Sequence, residues 1–94
     1  MNQNHLTPVH PGKVLQDELE EIEVSSDVLA QHIGILPLII YEVCDGKRDI
    51  TAPLAMKLSR ALGASPQFWL NLQNNWELSQ VNECEYHKIK SIAA

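Results

Sequence analysis

The residues that start and stop helices constrain this chain more than anything else in it. Pro11, Pro37, Pro53 and Pro66 each stand where the first turn of a helix would lie. A proline is tolerated there because its missing N–H would be unpaired in any case. Oxygen-bearing side chains precede several of them: Ser25-Ser26-Asp27, Thr51 and Ser65 offer caps to the orphan N–H groups of a helix start. Gly34 and Gly63 fall where a helix must end in the left-handed conformation, and Asp45-Gly46 signals a further turn. Between these marks the apolar residues recur at helical spacing. Val14, Leu15, Leu19 and Ile22 form one stripe, Val28, Leu29 and Ile33 a second, and Leu54, Ala55, Leu58 and Leu62 a third. There is no strand pattern, internal repeat or low-complexity segment. The expectation is an all-α bundle of about five helices with short connections. A flexible arm over 1–9, one folded domain over 10–84 and a fraying tail over 85–94 complete the plan.

The segment Val24–Arg48 carries the most specific arrangement. Two short helices separated by a tight turn are the helix-turn-helix plan, whose second helix enters the major groove of DNA. Pro37 opens that second helix, which runs to about Cys44. A helical wheel turns Leu36, Ile40 and Val43 toward the core, sets Ile39 at the flank, and leaves Leu38, Tyr41, Glu42 and Asp45 outward. The outward face therefore holds two acids and no base. Leu38 can pack on a thymine methyl, Tyr41 can reach a phosphate or base edge, and Glu42 can accept from cytosine N4. None offers the bidentate guanine contact of an arginine, so readout by this helix should be weak or shape-based. Phosphate anchoring falls to Lys47 and Arg48 and to backbone N–H groups near Ser26. The alternative for Lys47 and Arg48 is a solvated loop paired with Asp45 or Asp49. Lys57 and Arg60 read as ordinary surface charges.

Size and charge bound the remaining classes. With 94 residues the chain makes one small core that gains from dimerising. Cys44 and Cys84 are too few and too far apart for a disulfide framework or a zinc site, which favours a reducing, cytoplasmic setting. The start MNQNHLTPVHPG lacks the basic and apolar regions of a signal peptide, and no run approaches the length of a membrane span. The formal charge of −5 is concentrated: Asp17, Glu18, Glu20, Glu21, Glu23 and Asp27 face only Lys13, while acids and bases elsewhere cancel. Local potential decides where a phosphate backbone docks, so the balance does not exclude DNA. The acidic run reads as a solvated face, with attraction of a basic partner protein as the alternative. Catalysis finds no support. His5, His10, His32 and His87 are scattered, and neither a glycine-rich phosphate loop nor a nucleophile elbow is present. His10 reads as a helix-start residue and Cys44 as a small buried hydrophobe. No cofactor is expected.

The fifth helix carries more apolar surface than one packing face needs. Phe68, Trp69, Leu72 and Trp76 cluster on one side, whereas Leu70, Leu78 and Val81 cluster on another. The second face is assigned to contact with a symmetric copy. Its alternatives are scattered exposed side chains or contact with the tail.

His10-Pro11-Gly12, Asp45-Gly46-Lys47-Arg48, Ile50-Thr51 and Ser65-Pro66-Gln67-Phe68-Trp69-Leu70-Asn71-Leu72-Gln73 together resemble the HigA-type antitoxins. These are also labelled virulence-associated protein I, and belong to the xenobiotic-response-element class of lambda-repressor-like helix-turn-helix proteins. The resemblance covers roughly residues 9–80. It implies a dimeric antitoxin that binds a palindromic double-stranded operator, represses its own operon and neutralises a co-encoded HigB-type ribonuclease toxin. Where that family usually places Ser, Arg and Asn-like readers on the recognition helix, this chain has Leu38, Ile39 and Tyr41. A toxin-binding module with weakened DNA binding is accordingly the second functional expectation.

Overall fold

The computed structural model describes residues 8–93, so the arm expected over 1–9 lies almost wholly outside the described residues. Five α-helices follow in order: α1 (Pro11–Ile22), α2 (Ser26–Ile33), α3 (Pro37–Cys44), α4 (Ala52–Leu62) and α5 (Pro66–Ser79). A single 3-10 turn, Glu83–Glu85, comes after them, and no strand occurs among the described residues.

The helix starts take the form their residues dictate. Ser25 Oγ accepts from the Val28 N–H at 3.1 Å, and Ser65 Oγ accepts from the Phe68 N–H at 3.1 Å. Thr51 Oγ1 takes the Leu54 N–H at a longer 3.4 Å. His10 caps α1 through its ring, with Nδ1 accepting from the Gly12 N–H at 2.9 Å. Gly34 (φ 77°) and Gly63 (φ 95°) end α2 and α4 in the left-handed region. At the end of α1 that conformation falls to Glu23, at φ 58°.

Every helix contributes to one core: Leu15 and Leu19 from α1, Leu29 and Ala30 from α2, Ile40 and Val43 from α3, Leu54, Ala55 and Leu58 from α4, Trp69 from α5. Ile50, in the loop before α4, is buried among them. That loop is tied to α5 by buried Gln73, whose Oε1 accepts from the Ile50 N–H at 2.7 Å and whose Nε2 donates to Glu77 at 2.9 Å. Helices α1 and α3 cross at Gly12, where a Cβ would stand 1.7 Å from the Val43 carbonyl oxygen. Only glycine permits that approach, and the approach sets the position of α3.

The wheel readings need correction at several positions. Leu36, expected in the core, is 68% exposed because it caps α3 from outside the helix. Ile22 and Val28 are exposed at the edges of their stripes. Phe68 is exposed as well, whereas Leu70 is half-buried against the core. The cause is Gln73: it is polar yet buried, and it turns the inward direction of α5 toward Trp69 and Gln73 and away from Phe68. Helix α5 ends at Ser79, so Val81 lies beyond it rather than on it.

Candidate nucleic-acid interface

Helices α2 and α3 pack on one another across the turn 34–36, and α1 supports α3 from behind. The inner side of α3 is fully buried through Ile40 and Val43. Its other side presents Leu38 and Tyr41 to solvent, with Pro37 exposed at its start, Ile39 half-buried at the flank and Glu42 partly covered. This is the outward set that the wheel assigns to base contact.

The polar members of that set have partners. The Tyr41 hydroxyl donates to the Asp27 carboxylate in the first turn of α2. That hydrogen bond, with burial and the charge of Asp27 adding to it, holds the phenol above its ordinary pKa. Glu42 Oε1 accepts from Arg48 twice, from Nε and from Nη2, each at 2.7 Å. Arg48 therefore pairs with Glu42, correcting the expected pairing with Asp45 or Asp49. Lys47 does sit near Asp45, at 3.6 Å. All of these groups are exposed or half-exposed, and such pairs contribute about 0–1 kcal/mol each. A phosphate can therefore replace either carboxylate at little cost. Folding the guanidinium over Glu42 also neutralises one of the two acids on the outward face.

Ser26 is the first residue of α2 and half-buried, with the Ser25 cap and Asp27 on either side. The α2 amides near Ser26 thus face an internal carboxylate in the first turn, which any phosphate docking there meets. Cys44, at the end of α3, has its thiol pushed up by burial, against the opposing effect of the Ser26 side chain.

Two residues contribute here that the sequence reading left aside. Lys57 of α4 donates from Nζ to the Ile33 carbonyl at 3.0 Å, closing the C-terminal end of α2 rather than standing as an ordinary surface charge. Asp27 holds Tyr41 across the motif. Neither contact has a signal in the sequence, since each joins residues 14 or more apart on different helices. At the far end of the molecule, Leu78 is 71% exposed and Val81 is exposed beside it, while Leu70 turns partly inward.

No family model matches the chain. Over 79 residues it is 37% identical to antitoxin HigA-1 of Vibrio cholerae, covering 83% of this chain and 74% of that protein. It belongs to the HigA antitoxin family. A second relative of this HigA-type chain is the helix-turn-helix transcriptional regulator YddM of Escherichia coli, 40% identical over 73 residues and covering 78% of each chain. Among solved structures, the Pseudomonas aeruginosa antitoxin HigA with the higBA promoter superposes at a TM-score of 0.83. The two are 31% identical, and the match covers 92% of this chain and 99% of that one. The resemblance stated from the sequence motifs is thus borne out, as is the all-α helix-turn-helix fold. The chain is a helix-turn-helix regulator and not an enzyme. No helix of the described residues is long and apolar enough to cross a membrane.

Proposed function

We propose that this HigA-type chain is a cytoplasmic antitoxin and autorepressor. It binds palindromic operator DNA upstream of its own gene as a homodimer and neutralises a HigB-type ribonuclease toxin. In this reading α3 lies in the major groove with Pro37, Leu38 and Ile39 leading. Tyr41 and Glu42 follow on the same face. Lys47 and Arg48 seat on flanking phosphates, and the α2 start near Ser26 takes a further one. The observation that carries the reading is the placement of Lys47 and Arg48 just after α3, each held only by an exposed carboxylate. The folded unit comprises 10–84, and Leu70, Leu78 and Val81 lie toward the dimer contact.

The deciding experiment measures binding of the purified protein to DNA from its own upstream region and to scrambled DNA, at two salt concentrations. Tighter binding to its own DNA that weakens with salt is the expected result. Lys47→Glu with Arg48→Glu should weaken binding and flatten the salt slope by about 1.8, for two lost phosphate contacts. Parent-like binding by that double variant would remove the proposed anchor. A second reading, a toxin-binding module with little DNA recognition, is favoured by the engagement of Tyr41 and Glu42 within the protein. Equal, feeble binding to both DNAs would establish it in place of the first.

A further inference from the structure

With Tyr41 and Glu42 engaged, the free surface at the leading end of α3 is hydrocarbon. Leu36 is 68% exposed and Leu38 is 59% exposed, with exposed Pro37 between them. Leu36 is also the N-cap of α3, and α3 is the one helix of the five whose cap side chain makes no hydrogen bond. His10, Ser25, Thr51 and Ser65 all cap their helices. A leucine in this place gives up a cap and leaves its side chain in water, a local departure of the kind that marks functional positions.

The first residues of a recognition helix are those that reach base edges. In the major groove the apolar group a base pair presents is the C5-methyl of thymine. We propose that Leu36 and Leu38 read thymine methyl groups, so that thymines opposite the start of α3 are recognised by hydrocarbon contact rather than by hydrogen bonds. The inference rests on the operator binding proposed above. A bound operator places α3 so that both leucines lose water against methyls, while Lys47 and Arg48 fix the register. The polar pair Glu42–Arg48 stays at the rear of the same face.

The test compares the chain's own upstream duplex with the same duplex carrying uracil in place of thymine, which removes the methyl and keeps the pairing. Binding to the uracil duplex is expected to fall about four-fold for each methyl contacted, the effect of exposing one buried carbon. Leu38→Ala should weaken binding to the thymine duplex and leave binding to the uracil duplex unchanged. Leu36→Ala with Leu38→Ala should abolish the difference between the two. Single uracil substitutions then assign the methyls to symmetric positions of the two half-sites. Specific binding with equal affinity for both duplexes would overturn the inference and leave the operator reading intact. So would a uracil penalty that persists undiminished in the double variant, because it would then arise from duplex shape. Failure to prefer the upstream thymine duplex over scrambled DNA would remove the operator reading itself, and this inference with it.

Discussion

Gly12→Ala should damage this protein more than any other single methyl. The added Cβ would lie 1.7 Å from the Val43 carbonyl oxygen and 2.6 Å from its carbon, where ordinary contact begins at 3.4 Å. Both neighbours are backbone atoms, so no rotamer change relieves the overlap. The carbonyl is also pinned from its other side, accepting from the Gly46 N–H at 3.0 Å. Helices α1 and α3 must separate by more than an ångström, and Leu15 and Val43, both fully buried, then lose contact with the core. Overpacking ordinarily costs about 1–3 kcal/mol, and a backbone overlap this deep belongs at or above the upper end. Against a total of about 5–15 kcal/mol for a domain, ~3 kcal/mol lowers the melting temperature by roughly 12–20 °C. Thermal unfolding followed by helical circular dichroism measures it. Gly63→Ala is the control: its φ of 95° is strained for alanine, but nothing lies within 4 Å of the new carbon. It should cost about 1–2 kcal/mol from backbone strain alone. A Gly12→Ala protein melting within ~4 °C of the parent would refute the close crossing, and with it the account of what positions α3.

Three further outcomes follow from particular contacts. Glu23→Gly should raise stability by about 0.5–1 kcal/mol, because glutamate at φ 58° carries a strain that glycine does not; an unchanged urea midpoint would contradict it. His10 is held below its ordinary pKa by burial, although the Asp49 carboxylate pulls the other way. The unfolded chain therefore takes up the proton first, so this contribution to stability is complete above pH ~6.5 and is lost as pH falls from there through the lower folded value. His10→Asn, which retains a cap acceptor, should remove that part of the pH dependence in urea titrations at pH 7.5 and 5.5, and an identical dependence in both proteins would clear His10 of the role. For the dimer, Leu78→Glu with Val81→Glu should lower the mass measured by light scattering, and an unchanged mass would take both residues out of the interface.

The helix boundaries were legible because their signals are local. A cap, a proline and a glycine lie within a few residues of the end they mark, and Pro37–Cys44 and Ala52–Leu62 follow from such marks directly. His10-Pro11-Gly12 was legible as a helix start. Its deeper reason, the α1–α3 crossing at Val43, belongs to tertiary packing. Orientation was the weaker reading. Leu36 and Phe68 are apolar and exposed, while Gln73 is polar and buried, so an argument from hydrophobic spacing rotates α5 toward Phe68. The hydrogen bond from Ile50 compensates the burial of Gln73, and nothing 23 residues away in sequence announces it.

The same limitation shaped the reading of the interface, and there it has a functional consequence. Counted as isolated side chains, Tyr41 and Glu42 look like readers of DNA, and the outward face looks too acidic to approach it. Asp27 and Arg48 alter both conclusions. Glu42 is covered by a guanidinium at 2.7 Å, so the face is less negative than its composition, and neither polar group is free to discriminate bases without first leaving its partner. Exposed pairs of this kind are weak, about 0–1 kcal/mol, so phosphate contact by Arg48 costs little. A specific base contact by Glu42, by contrast, would leave Arg48 without its carboxylate. Exchange at Arg48 therefore favours anchoring over base reading by Glu42, and leaves discrimination to the side chains that need no partner, Leu36 and Leu38.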